Sequence, residues 1–331
     1  MVKHPKPLVE LVATGRYLPQ RVLTNTDLEE LVDTSDEWIQ ERTGITERRI
    51  ARAGEGAADM AAEAARRAMS RAGIGPGEID ILILTTATPD RLLPSTACDL
   101  QALLGAGNAM AFDLAAACSG WLYGLTMAEG YLATGRGEIA LVVSTEKMSS
   151  IVDWDDRATC VLFGDGAGAG ILRRATGEHG ILSCYHRADG SLGNLLHRPA
   201  GGAAIPMSPE VLANKDHLVK MSGREVFKNA VRSMAEASDI ALRKAGLTGE
   251  EVDLLIPHQA NVRIIDATAK YAGVPREKVY VNVDRYGNMS SASIPVALDE
   301  AWEQGVVSRG SIVHTVAFGA GFTWSGMTFR L

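Results

Sequence analysis

The chain has 331 residues, 46% of them hydrophobic and 22% charged, with a formal net charge of −7. That length holds one large or two medium α/β units, and no uninterrupted apolar run approaches the 18 or more residues that a membrane span needs. The acidic balance argues against nucleic acid as a partner, and four cysteines with no C-x-x-C pair or nearby His cluster argue against a metal site or a disulfide framework.

The opening residues 1–7 are basic but carry no long apolar core, so no secretory leader is expected and the protein is expected in the cytoplasm. Thr34 and Glu37 read as the cap of a helix that carries Trp38. Residues 79–85 and 138–144 are continuous apolar runs, the pattern of strands covered on both faces. Between them, the apolar run 111–117 leads into Cys118, Ser119 and Gly120. A helical pattern follows, with Trp121, Leu122, Leu125, Ala128 and Leu132 on one face. This predicts a strand, a tight turn and a helix whose first free N–H groups face the Cys118 sulfur. Such a position can lower a cysteine pKa from about 8.5 to about 7 or below, and the same N–H groups can hold an oxyanion. Taken alone, Cys118 reads better as a buried structural cysteine; the rest of the chain reverses that reading.

The glycine-rich stretch 164–170 has the look of a dinucleotide loop. A short strand pattern follows it where such a loop needs a long helix, so it is read as glycine spacing for close backbone approach. Ser222-Gly223-Arg224-Glu225 is read as a capping box opening a long helix, with Arg224, Lys228 and Arg232 forming a basic stripe. The run 252–257 predicts a strand that ends at His258. Asn288 falls in a turn before a helix bearing Ile294, Ala297, Leu298 and Ala301.

The chain repeats itself. Ala72-Gly73-Ile74 with Glu78-Ile79-Asp80 returns as Ala245-Gly246-Leu247 with Glu251-Val252-Asp253, an offset of 173 residues (80 to 253). Arg136-Gly137 returns as Arg309-Gly310 at the same offset. An unchanged register over such a span implies a duplicated α/β half. Chemistry in such sheets gathers at the carboxyl ends of strands. A Cys, a His and an Asn at related strand ends or turns therefore point to nucleophilic catalysis.

Asp113-Leu114-Ala115-Ala116-Ala117-Cys118-Ser119-Gly120, His258-Gln259-Ala260-Asn261 and Gly287-Asn288-Met289-Ser290-Ser291 together resemble β-ketoacyl-acyl carrier protein synthase III, the condensing enzymes that start type II fatty acid synthesis. Asp36-Glu37-Trp38-Ile39, Phe163-Gly164-Asp165-Gly166 and Phe318-Gly319-Ala320-Gly321 carry the resemblance along the chain. Met289 stands where the family often has Thr. The resemblance implies a thiolase-like fold, two duplicated α/β halves in a five-layered α-β-α-β-α sandwich, with residues 1–180 carrying the cysteine and 181–331 the His and Asn. It implies a decarboxylative condensation of an acyl-CoA with malonyl-acyl carrier protein, with Cys118 as nucleophile and His258 and Asn288 as donors to the malonyl thioester oxygen. The oxyanion of acyl transfer would be held by N–H groups of Cys118 and of the Gly319, Ala320, Gly321 loop.

By the same resemblance Trp38, Arg42, Arg157 and Asn261 hold coenzyme A. Lys228, Gln259, Ala260, Asn261, Val262, Arg263 and Lys270 surround the mouth where the acidic carrier docks. Leu93 lines the acyl pocket of the neighbouring subunit in a homodimer. No cofactor is implied, the CoA thioester being a substrate. A biosynthetic thiolase would need a second cysteine late in the chain, and none follows Cys184. Elongating synthases carry a His where this chain has Asn288. A starter enzyme of secondary metabolism, of alkylquinolone or polyketide type, is the remaining rival.

Overall fold

The computed structural model describes residues 5–331; Met1 to His4, part of the segment read for a leader, lie outside it. One sheet runs in spatial order β1 (Val9–Tyr17), β7 (Asp165–Arg174), β6 (Ile139–Lys147), β4 (Ile81–Thr85) and β5 (Met110–Leu114). The other runs β8 (Gly180–Ala188), β13 (Thr323–Arg330), β12 (Ile312–Gly319) and β11 (Leu254–Pro257).

The second sheet repeats the first, and it does so in register. Ile81 pairs with Ala140 in one parallel ladder and Leu254 with Val313 in the other, the same pairing moved by 173 residues. The Asp80 carboxylate accepts from the Ile139 N–H at 3.0 Å, and that of Asp253 from the Ile312 N–H at 2.8 Å. Only β5 lacks a full counterpart; a single bridge from Leu255 to Val279 stands in its place.

Helices α5 (Gly120–Ala133) and α10 (Ser293–Glu303) lie between the sheets and share one apolar core with both. Helices α3 (Ala57–Ala72) and α4 (Thr96–Leu104) cover the outer face of the first sheet, and α7 (Gly223–Ala245) and α8 (Val262–Ala272) that of the second. The result is the five-layered sandwich expected. Strand β4 is buried throughout, as its apolar run requires, whereas β5 at the edge is only half-buried and Met110 is exposed. Shorter pieces complete the chain. β2 (Arg21–Thr24) pairs with β3 (Glu47–Ile50), with α1 (Asn25–Glu29) and α2 (Asp36–Thr43) between them. β9 (Leu196–His197) pairs with β10 (Lys220–Met221), flanking α6 (Pro209–Ala213), and α9 (Val283–Tyr286) precedes the Asn288 turn. No helix among the described residues is long and apolar enough to cross a membrane.

Two local expectations need correction. The cap of α2 is Ser35, whose hydroxyl accepts from the Trp38 N–H at 3.1 Å, so Thr34 lies one residue too early. Ser222 opens α7 without a side-chain cap, so no capping box forms there. The glycine-rich stretch behaves as read. It lies largely within β7, where an added Cβ at Gly168 would come within 2.7 Å of Pro295, and one at Gly170 within 2.8 Å of Trp121. Strand and central helices meet closely there, which excludes a dinucleotide loop.

Candidate active site

Cys118 sits in a 3-10 turn, Ala117–Ser119, between β5 and α5. The chain reverses sharply enough that Ala117 takes φ 45°, a left-handed conformation a non-glycine residue rarely adopts. Contacts with the second half hold it there. Thr323 Oγ1 donates to the Ala116 carbonyl at 2.9 Å, and Ser119 Oγ to the Thr323 carbonyl at 3.2 Å. Gly319 of β12 packs so closely that a Cβ on it would lie 2.5 Å from the Cys118 nitrogen. The duplicated turn, Ser290–Ala292, carries the same feature: Ser290, the counterpart of Ala117, takes φ 47°.

Cys118, His258 and Asn288 line a single cavity of about 130 Å³, walled by Phe163, Val226, Phe227, Met234 and Phe318. All three are nearly buried, at 9%, 2% and 8% exposure. His258 follows β11 directly and is anchored by its N–H to the Val316 carbonyl at 2.8 Å, while its ring Nδ1 has no partner. Asn288 is clamped by its main chain, donating to the Leu162 carbonyl at 2.8 Å and accepting from Gly164 at 3.1 Å. Its Oδ1 accepts from the Ser290 N–H at 2.8 Å. That assignment turns the amide NH₂ outward as a donor for a substrate oxygen. Met289 is buried in a separate cluster with Tyr286, Ala292 and Val296, so the departure from the family's usual Thr does not reach the cavity.

The electrostatics overturn one expectation. Burial pushes the Cys118 thiol up to about 12; hydrogen bonding with Ser290 Oγ, 3.5 Å from its Sγ, opposes this, and the Glu146 charge adds to it. Proximity to a helix start does not offset the loss of water, so the resting group is a thiol that must surrender its proton. Burial lowers His258 to about 4, leaving a neutral imidazole at pH 7.

Two residues that sequence reasoning missed support the site. Arg48 is fully buried and donates to the carbonyls of Leu23 (3.2 Å) and Val161 (2.8 Å) and to Asn25 Oδ1 (2.9 Å). It thereby fixes the segment before Phe163, which bridges Asn288. Glu146, also fully buried, is the penultimate residue of β6 and accepts from Ser291 in the other half. Flanked by Thr145 and Lys147 at the end of β6, it carried no signal of burial in the sequence.

The outlying residues divide. Trp38 is half-buried, with the Arg42 and Arg157 guanidinium carbons 4.9 and 5.0 Å from its ring centre. Asn261 caps α8, its Oδ1 accepting from Ile264 at 3.0 Å, and it lines the cavity together with Ala260. Lys228, Arg263 and Lys270 are exposed, Arg263 lying 5.9 Å from the ring of Phe227 at the cavity wall. Val262 packs against Gly44. Gln259 does not fit a docking role. It is fully buried, its Nε2 donating to the carbonyls of Pro257 and Tyr280 and its Oε1 accepting from Asn282 and Val283, so it holds the loop from inside. Leu93 is 86% exposed and touches no part of the cavity in its own chain.

Comparison with known proteins agrees with this geometry. Residues 112–190 match the family 3-oxoacyl-[acyl-carrier-protein] synthase III, and residues 242–331 match its C-terminal part. A β-ketoacyl-[acyl-carrier-protein] synthase III of Symbiobacterium thermophilum is 54% identical, covering 97% of this chain and 98% of that one. One from Caldanaerobacter subterraneus subsp. tengcongensis is 50% identical over 97% of both. The crystal structure of the Aquifex aeolicus 3-oxoacyl-[acyl-carrier-protein] synthase III superposes with a TM-score of 0.91 at 48% identity, covering 98% of this chain and 100% of that one. The chain belongs to the β-ketoacyl-acyl carrier protein synthase III family.

Proposed function

We infer that the protein condenses an acyl-CoA primer with malonyl-acyl carrier protein, giving 3-ketoacyl-acyl carrier protein, free CoA and CO₂, the first condensation of type II fatty acid synthesis. The observation that carries this is one cavity lined by Cys118, His258 and Asn288 in a member of that family. Cys118 attacks the primer thioester, forming a new thioester at nearly equal free energy. The Cys118 N–H and one from the loop of Gly319, Ala320 and Gly321 hold the tetrahedral oxyanion, a single such donor being worth about 10²–10³ in kcat. Malonyl-carrier then loses CO₂, and the negative charge on its thioester oxygen is met by neutral His258 and the Asn288 NH₂. The carbanion attacks the acyl group on Cys118.

CoA binds through Trp38, Arg42 and Arg157 at the mouth and Asn261 along the pantetheine arm. The carrier docks on Lys228, Arg263 and Lys270, an exposed basic set in a chain of net charge −7. The reaction needs no resident cofactor, since CO₂ loss drives it. A homodimer is supported by the open edge of β5 and by Leu93, exposed for insertion into a partner's acyl pocket. Residues 1–180 and 181–331 act as the two halves, in the cytoplasm. The secondary-metabolism reading is weaker, because relatives at half identity over the whole chain bear the synthase III name. Intact mass after incubation with a panel of acyl-CoAs, then with malonyl-carrier protein, tests the assignment. Cys118 should gain an acyl group and lose it on condensation; acylation without turnover would defeat it.

A further inference from the structure

The turn that holds Cys118 is closed by a bond from the Ser119 N–H to the Ala116 carbonyl at 3.1 Å. One residue of the other half grips both ends of that turn. Thr323 Oγ1 donates to the same Ala116 carbonyl at 2.9 Å, and the Thr323 carbonyl accepts from Ser119 Oγ at 3.2 Å. Each segment thus gives a hydroxyl proton to a carbonyl of the other. The Thr323 methyl reaches the opposite way: a Cβ added to Gly321 would lie 3.0 Å from it. Thr323 also faces Gly319 across the β12–β13 ladder, where it closes the loop of Gly319, Ala320 and Gly321.

The repeat separates this bracket from the needs of the fold. Shifted by 173 residues, Ala116 becomes Met289 and Glu146 becomes Gly319. Glu146 faces Gly166 across its own ladder as Gly319 faces Thr323, so Gly166 is the counterpart of Thr323. A Cβ on Gly166 would lie 2.7 Å from the sulfur of Met289. The same two positions therefore touch in the second copy, but as glycine against a methionine side chain, with no hydroxyl. Ser290 still reaches its left-handed φ of 47° there, beside 45° for Ala117. Forming the turn does not require the bracket, and only the copy that carries Cys118 has it.

We propose that Thr323 is a positioning residue for acyl transfer, setting the spacing between the Cys118 N–H and the loop of Gly319, Ala320 and Gly321, the two sides of the oxyanion site. This rests on the reading of Cys118 as the nucleophile. Thr323 is not among the residues lining the cavity; it acts by holding both sides at once, hydroxyl on the turn and methyl on the loop. Donors stabilise a developing charge only at the right distance, and a misplacement of about 1 Å can cost about 10² in rate. The other two site residues are anchored without it, His258 on the Val316 carbonyl and Asn288 on Leu162 and Gly164. Acyl transfer at Cys118 therefore depends on Thr323, whereas loss of CO₂ from malonyl-carrier protein does not.

The test compares Thr323→Val, which keeps the shape and removes the hydroxyl, with Thr323→Ser, which keeps the hydroxyl. Single-turnover acylation by a range of acetyl-CoA concentrations is followed by intact mass, CO₂ release from malonyl-carrier protein is measured on the unacylated enzyme, and thermal melts verify folding. Thr323→Val should lower the maximal acylation rate about 10–10²-fold with half-saturation unchanged, the mark of an interaction made only in the transition state. Thr323→Ser should stay within about fivefold of the wild type, and CO₂ release should stay within about threefold in both. Thr323→Val acylating within threefold of the wild type would overturn the proposal. So would Thr323→Ser as slow as Thr323→Val, or CO₂ release falling as far as acylation, since general damage predicts both. Failure of the wild type to be acylated would instead overturn the parent reading. If Thr323→Val does not fold, Ser119→Ala, which removes the return bond, decides by the same threefold limit, with a loss of about tenfold expected.

Discussion

Replacing Gly319 with alanine places a methyl group 2.5 Å from the Cys118 nitrogen, 3.2 Å from its Cα and 3.1 Å from the Ala117 Cβ. Ordinary contact needs about 3.5 Å, so the nucleophile turn and β12 must part by about 1 Å. Neither side gives easily: β12 is paired on both sides, to β11 and β13, and the turn is pinned by Thr323. The displaced atom is the oxyanion donor proposed above. Misplacement of about 1 Å can cost about 10² in rate, and loss of a donor about 10²–10³. Gly319→Ala is therefore expected to acylate about 10²–10³-fold more slowly, with overpacking costing about 1–3 kcal/mol of stability. Single-turnover acylation by acetyl-CoA, together with a thermal melt, measures both. Gly130→Ala is the control: it lies in α5 with nothing within 4 Å of an added Cβ, and should gain about 0.5–1 kcal/mol with unchanged acylation. Gly319→Ala acylating within threefold of the wild type would refute the argument that close packing sets the oxyanion donor.

Arg157→Ala removes one guanidinium from the Trp38 ring and should raise KM for acyl-CoA about tenfold with kcat little changed; an equal fall in kcat would place Arg157 in the chemistry. Arg263→Glu should weaken use of malonyl-carrier protein at least tenfold more than use of acyl-CoA, and equal losses in steady-state assays of both substrates would remove the docking face. Burial lowers His258, His314 and His186 to about 4, so the unfolded chain, titrating near 6.5, takes up protons first as pH falls. Their contribution is complete above pH 6.5 and is lost as pH drops toward 4. Tm should therefore fall between pH 7.5 and 5.5, and a flat profile would contradict the buried neutral imidazoles.

What the sequence made legible was spacing. Repeated short motifs at one offset located His258 and the Asn288 turn from the Cys118 turn, because a duplicated strand order carries its carboxyl ends with it. Glycines 164 to 170 were legible for a similar reason: alternate small residues in an apolar run mean close neighbours. Properties that depend on what packs above a residue were not legible. The helix start beside Cys118 is local, but the walls that dry its sulfur come from α7, the loop after β11 and β12, far along the chain. Gln259 adjoins His258 and so reads as part of the mouth, yet its amide turns inward to Tyr280 and Asn282. Glu146 and Arg48 are charged residues in charged or polar company, and nothing in their neighbours announces that both end up without water.

Ser291 occupies in the second copy the place that Cys118 holds in the first, and the two turns touch. An exact repeat would have set two sulfur nucleophiles against one another over a single guest. Instead the hydroxyl of Ser291 is tied to Glu146 and to the Thr85 carbonyl at 3.2 Å. Symmetry has been broken by a single change of atom: one copy carries a sulfur at the cavity, and its twin carries an oxygen that ties the two halves together.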